Sequence, residues 1–143
     1  MDAQQERELD AVVQAIHAGD RFLCIGHVGP DGDAVGSLLA MGAMLRHLDK
    51  TPTLALHDPV PEGLRFLPGA DAIVGPAHVS GRYHSLIVLD SSSADRMGDV
   101  YRPRDHGELP LLVIDHHVTN TNFGTVNWVD PSCAATCPVS YTH

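Results

Sequence analysis

Positive charge is scarce in this chain of 143 residues: nine lysines and arginines stand against 18 aspartates and glutamates, a formal net charge of −9. A surface of that sign repels a long phosphate backbone, so unassisted binding to duplex nucleic acid is excluded. Long apolar runs are missing too. No stretch approaches the roughly 18 apolar residues of a membrane span, and Met1 to Glu8 is charged where a secretory signal would need hydrophobic residues. A soluble, cytoplasmic protein is expected, with no membrane partner. The cysteines, Cys24, Cys133 and Cys137, are odd in number. The Cys133 to Cys137 spacing fits no common zinc knuckle, so all three read as reduced thiols. Neither G-x-S-x-G nor G-x-x-x-x-G-K-[ST] occurs, which removes the nucleophile elbow and the P-loop from consideration. There is no internal repeat and no low-complexity tract.

What is present is enough for one ordinary domain, with 43% apolar residues to build its core. Leu9, Val12, Val13 and Ile16 recur at helical spacing before Gly19, predicting a helix over 4–18. Residues 21–26 read as a buried strand. Leu38, Met41, Leu45 and Leu48 form a helical stripe over 34–48, with Asp33 placed as its N-cap. A second strand over 53–57 completes a strand, helix, strand unit, which implies parallel pairing with a right-handed crossover. Residues 58–82, broken by Pro59, Pro61, Pro68 and Pro76, read as connector. Residues 84–89 and 111–114 are continuous apolar runs of the kind found in central parallel strands. A two-turn helix is expected over 94–100. The fold class is therefore α/β with a parallel sheet.

Three of these apolar runs end in metal-ligand chemistry. His27-Val28-Gly29-Pro30-Asp31-Gly32-Asp33 follows the first strand, Asp90 follows the third, and Asp115-His116-His117 follows the fourth. Ligands of open α/β sheets collect beyond the carboxyl ends of the strands, where all three clusters lie. Alone, Pro30 to Asp33 is a tight turn with a helix cap, and Asp90 is an Asx turn. His27 alters the first reading, since an imidazole and two carboxylates on one loop suit hard divalent cations. Adjacent imidazoles at 116 and 117 serve no purpose as core filler. Combined, the residues point to a two-metal centre. Two cations about 4 Å apart can activate water and hold both oxygens of an in-line displacement at phosphorus. The mixed His and Asp donors favour Mn²⁺ or Mg²⁺ over a closed zinc site.

The chain resembles the N-terminal part of the DHH phosphoesterase family. The resemblance rests on Gly26 to Ser37, on Leu89 to Ser93 with Arg96 and Gly98, and on Ile114 to His117. Asn120, Phe123, Gly124, Asn127 and Ala134-Ala135-Thr136 add to it. Within the family it is most similar to the oligoribonuclease and pAp phosphatase branch, the nanoRNases. That resemblance implies a three-layer DHH-type domain over 1–143, lacking the family's smaller C-terminal substrate-binding domain and a further metal-ligating aspartate. Pro138 departs from the family, standing where it begins a helix with an acidic residue. The resemblance further implies that His27, Asp31 and Asp90 hold one Mn²⁺ and that Asp33, Asp90 and His116 hold the other. His117 would lie near the scissile phosphate, and Asp115 would brace the cluster. Ser37, Arg96 and Asn120 stand between a structural role and a functional one. The implied substrates are short RNA oligonucleotides, pAp or linear dinucleotides, and the implied assembly is a homodimer. Alternatives with the same chemistry are a RecJ-type exonuclease, a cyclic dinucleotide phosphodiesterase, an exopolyphosphatase and a pyrophosphatase. An alternative of another class is a non-catalytic fragment.

Overall fold

The computed structural model describes residues 2–133. Helix α1 spans Ala3–Ala18. Asp2 begins it with a reciprocal cap, accepting from the Gln5 N–H at 2.8 Å while the Gln5 side chain accepts from the Asp2 N–H at 3.3 Å. Strand β1 follows over Arg21–Ile25, then α2 over Gly32–His47, β2 over Thr51–Ala55 and β3 over Ser85–Leu89. A one-turn α3 at Pro103–His106 precedes β4, Leu111–Asp115, and β5, Val126–Val129. The five strands form one all-parallel sheet in the order β2-β1-β3-β4-β5.

Alternation along each buried strand sorts the core into two layers. Phe22, Cys24, Ile87, Leu89, Leu112 and Ile114 face α1 and α2, meeting Val12, Ile16, Leu38, Met41 and Leu45. Leu23, Ile25, Leu86, Val88 and Val113 face the other way, onto Val79, Tyr83, Met97 and Val100. Short turns rather than long helices cover this second face, so the three layers are unequal. Burial pushes the Cys24 thiol up to about 12, which keeps it a protonated core residue. Cys24 and Cys133 are both free thiols, and Cys137 lies outside the described residues. Among the described residues, no helix is long and apolar enough to cross a membrane.

The structure corrects several sequence expectations. Asp31, not Asp33, caps α2: its carboxylate accepts from the Ala34 N–H at 2.9 Å, and Asp33 falls inside the first turn. The helix starts earlier than its apolar stripe because the first turn faces the sheet edge and carries polar residues. The second strand is displaced to 51–55. Pro52 is tolerated there because β2 is an edge strand, and beyond it Leu56 donates instead to the Val74 carbonyl at 3.0 Å. The segment 94–100 is 3₁₀ rather than α, broken at Gly98, whose φ is +62°. A Cβ at Gly98 would lie 2.6 Å from the His57 ring, so only glycine fits. Strand β5 is an addition to the expected elements. It is four residues long and includes Asn127, whose amide exchanges hydrogen bonds with both backbone groups of Gly124.

In this strand order β1 lies between β2 and β3, so the connections leaving β1 and β3 diverge to opposite sides. The crevice opened beyond their carboxyl ends is the switch point where parallel sheets place ligands. At the opposite edge, buried His106 accepts from the Arg102 N–H at 3.0 Å through Nδ1, and desolvation holds its pKa below the ordinary 6.5. The unfolded chain therefore takes this proton first as the pH falls. The contribution of His106 is present above about pH 6.5 and is lost on acidification toward its lowered folded value. The His106 ring signal should titrate below the ordinary imidazole value of 6.5 by NMR, and His106→Gln should flatten the fall in urea midpoint between pH 7 and pH 5.5.

Candidate metal centre

Asp90 is the hub of the switch-point crevice. It is 3% exposed and holds the left-handed backbone conformation, φ +60°, uncommon for a residue with a side chain. Its N–H donates to the Ile114 carbonyl at 3.1 Å, tying the end of β3 to the end of β4. From there its two oxygens serve different imidazoles. Oδ2 lies 3.1 Å from His27 Nε2, and Oδ1 lies 3.3 Å from His116 Nε2. Asp31 Oδ1 reaches the same His27 nitrogen at 3.6 Å, and Asp33 Oδ2 reaches the same His116 nitrogen at 3.3 Å. Two groups thus form, each an imidazole with one carboxylate of its own, sharing Asp90.

His27 and His117 have defined neighbours. His27 Nδ1 is 2.6 Å from the Val28 carbonyl, which can only accept, so the proton sits on Nδ1 and Nε2 is left toward the carboxylates. The Arg96 guanidinium lies 3.3 Å from the same Nδ1. His117 Nδ1 is 2.6 Å from Asp115 Oδ1, and Asn120 donates to Asp115 Oδ2 at 2.8 Å and to the Ser91 carbonyl at 3.1 Å. Asp115 is fully buried and both its oxygens are occupied, so it orients His117 rather than facing the crevice. The rings of His116 and His117 pack with centroids 4.3 Å apart. Ser37 donates to Asp33 Oδ1 at 3.2 Å.

The structure therefore gathers His27, Asp31, Asp33, Asp90, Asp115, His116 and His117 at one sheet edge. Asp31 and Asp33 diverge toward different imidazoles because one caps α2 and the other sits in its first turn. Asp58 is a residue that sequence reasoning passes over: it accepts from the Gly29 N–H at 2.7 Å and anchors the His27 loop. It lies in an apparent connector, with no pattern to mark it.

The donor chemistry fits divalent cations. His27, Asp31 and Asp90 offer ligand atoms all within 4.8 Å of one another, and Asp33 and Asp90 each bring a carboxylate oxygen to 3.3 Å from His116 Nε2. Electrostatics agree. The Asp90 carboxyl is held above the usual carboxylate range by burial and by hydrogen bonding and repulsion from Asp33, against a lowering pull from His27. His27 is raised above its ordinary value, first by its hydrogen bond to Asp90. Protons gather where a cation would otherwise neutralise crowded oxygens.

Residues 21–143 match the DHH family, N-terminal domain. The chain belongs to the DHH family. It is 40% identical over 110 residues to the bifunctional oligoribonuclease and PAP phosphatase NrnA of Thermus thermophilus, covering 77% of this chain and 32% of that protein. With the protein of the same name from Bacillus subtilis it shares 28% identity over 131 residues, 91% of this chain and 40% of the relative. The chain thus spans about a third of the length of these curated relatives. The crystal structure of an exopolyphosphatase-related protein from Bacteroides fragilis superposes with a TM-score of 0.86 at 21% identity, covering 95% of this chain and 42% of the other. That likeness establishes the fold: a three-layer α/β domain on a parallel sheet. The DHH motif itself is Asp115-His116-His117, and it stands at the end of β4. Ala134-Ala135-Thr136 and Pro138, which also bear on the resemblance, lie outside the described residues.

Without metal the centre opposes stability at alkaline pH. His27 binds its proton more readily folded than unfolded, so that contribution is present below pH 6.5 and lost as pH rises through the raised value. Asp90 ionises less readily folded than unfolded, so above pH 3.8 the fold bears the cost of charging it. In EDTA at pH 8, Asp90→Asn should therefore raise the urea midpoint, because asparagine also tolerates positive φ. Asp90→Ala, strained at that backbone angle, should gain less.

Proposed function

We propose that this DHH domain is a metal-dependent phosphoesterase acting through a two-metal centre on short RNA oligonucleotides, pAp or linear dinucleotides. The observation that carries the reading is the divided carboxylate of Asp90, with one oxygen toward His27 and the other toward His116. His27, Asp31 and Asp90 are assigned to one cation, and Asp33, Asp90 and His116 to the other. Mn²⁺ is the proposed ion, with Mg²⁺ as a substitute, since imidazole and carboxylate donors suit both hard and intermediate cations. Divalent ions, when bound, supply the positive charge that draws phosphate oxygens and generate a nucleophile from water at neutral pH.

The chain's own residues supply the rest. The Val28 carbonyl and Asp58 fix the His27 loop before any ligand arrives, so the centre is pre-organised. Asp115 and Asn120 hold His117 in the tautomer with its proton on Nδ1, leaving Nε2 to exchange a proton with an oxygen of the substrate. The side chain of His117 is 40% exposed, open enough to meet that substrate. The names borne by the Thermus and Bacillus relatives support the substrate class, and the acidic surface agrees with ligands carrying few phosphates. A cytoplasmic location and a homodimer complete the proposal.

The test is release of inorganic phosphate from pAp with and without Mn²⁺. Wild type should turn over only with the metal, and Asp90→Ala should lose turnover and binding of both ions. Asp115→Asn should keep both ions yet lose about 10- to 100-fold in rate, as expected for a residue that orients a neighbour of the metals. Absence of turnover in the folded wild-type chain would instead make it a non-catalytic fragment.

A further inference from the structure

The edge of the sheet opposite the metal centre carries a second, unrelated concentration of charge. Four of the nine basic residues, Arg21, Arg82, Arg102 and Arg104, gather there, although the whole chain has a net charge of −9. Arg82, Arg102 and Arg104 line a cavity of about 690 Å³, with His106 and Tyr83 in its wall. Arg21 closes in from β1: its Nε donates to the Arg82 carbonyl at 2.9 Å, and its Nη2 would lie 3.3 Å from a Cβ at Gly81. Gly81 sits at φ +99°, so the 80–82 turn that presents Arg82 depends on glycine.

The arginines divide by role. Arg102 is committed to the fold, donating to the Val79 carbonyl at 3.4 Å and to the Pro76 carbonyl and lying 3.7 Å from Asp105. That contact also occupies Asp105, the acidic residue in the cavity lining. Arg82 and Arg104 are exposed, and among the described residues neither has an ion-pair partner. His106 adds the decisive donor. It is 6% exposed, and its Nδ1 accepts from the Arg102 N–H, so the neutral ring carries its proton on Nε2. Among the described residues that N–H has no acceptor, and His106 stands in the cavity wall, so a ligand or water there can accept from it.

We propose that this cavity binds a small phosphorylated ligand of nucleotide size, its phosphate held by the Arg82 and Arg104 guanidinium groups and by His106 Nε2. Guanidinium forks match phosphate oxygens in pairs, and the volume falls within the roughly 300–1,000 Å³ of small-molecule sites. The site stands at the amino ends of β3 and β4, about 15 Å from the metal centre at 3.3 Å per residue. It rests on none of the metal ligands, and so is independent of the phosphoesterase reading.

The isotope-labelled full chain, in EDTA and at fixed ionic strength, is titrated with inorganic phosphate, with adenosine 5′-monophosphate and with adenosine, following amide shifts by NMR. Phosphate and the nucleotide should give saturable shifts at Arg82, Tyr83 and His106, and adenosine should give none. In Arg82→Ser/Arg104→Ser, whose exposed side chains are not needed for folding, Kd for both should rise at least about 10-fold, the loss expected on removing charged hydrogen bonds. No saturation in wild type, equal binding of adenosine, shifts confined to His27 and His116, or an unchanged Kd in the double variant would each overturn the assignment.

Discussion

A buried carboxylate placed between two imidazoles is the constraint around which the molecule is arranged. Asp90 has almost no access to water and an unfavourable backbone angle, yet the ends of β3 and β4 are locked together through its N–H. Burying such a group is costly unless charge compensates it. Strain of this kind persists where the surrounding structure over-determines it, and the all-parallel sheet does so here. β1, β3 and β4 deliver His27, Asp90 and Asp115 to one edge in register, and the strand cores behind them are buried. The centre is therefore a property of the sheet as much as of its loops.

Most of this was legible in the sequence because burial on both faces leaves an unmistakable trace. Leu86 to Leu89 and Leu111 to Ile114 are apolar without interruption, and the polar residues at the end of each run must lie at the carboxyl edge. The features that stayed hidden are governed by contacts distant in sequence. The start of α2 at Gly32 depends on which of two aspartates reaches the Ala34 N–H, and that cap in turn decides which imidazole each one faces. Gly98 breaks the expected helix because of the His57 ring, 41 positions away. β5 pairs with β4 through backbone hydrogen bonds and buries Trp128 against the α1 and α2 layer, though its neighbours are only half-buried.

The same reasoning explains why the roles of some polar residues were harder to weigh. Asp115 and Asn120 look alike in sequence as candidates for chemistry. In the structure both turn inward, to each other and to His117, so their effect is exerted through another side chain. Arg96 sits beside His27 Nδ1 rather than among the carboxylates. Spacing identifies which residues reach an edge, but the tautomers and orientations that decide their roles come from hydrogen bonds to carbonyls such as that of Val28, which no sequence pattern encodes.

The two edges of the sheet are electrostatic opposites, and topology makes them so. Loops leaving the carboxyl ends carry His27, Asp31, Asp33, Asp90 and the DHH motif, whereas turns entering the amino ends carry Arg82, Arg102 and Arg104. Charges on one edge stand apart from those on the other across the uncharged apolar runs Leu86 to Leu89 and Leu111 to Ile114. At about 15 Å apart the edges are separated by more than the Debye length of about 8–10 Å, so solvent ions screen the exposed charges of each edge from the other. An acidic edge that needs cations and a basic edge that needs anions can thus coexist in a chain whose net charge alone would suggest neither.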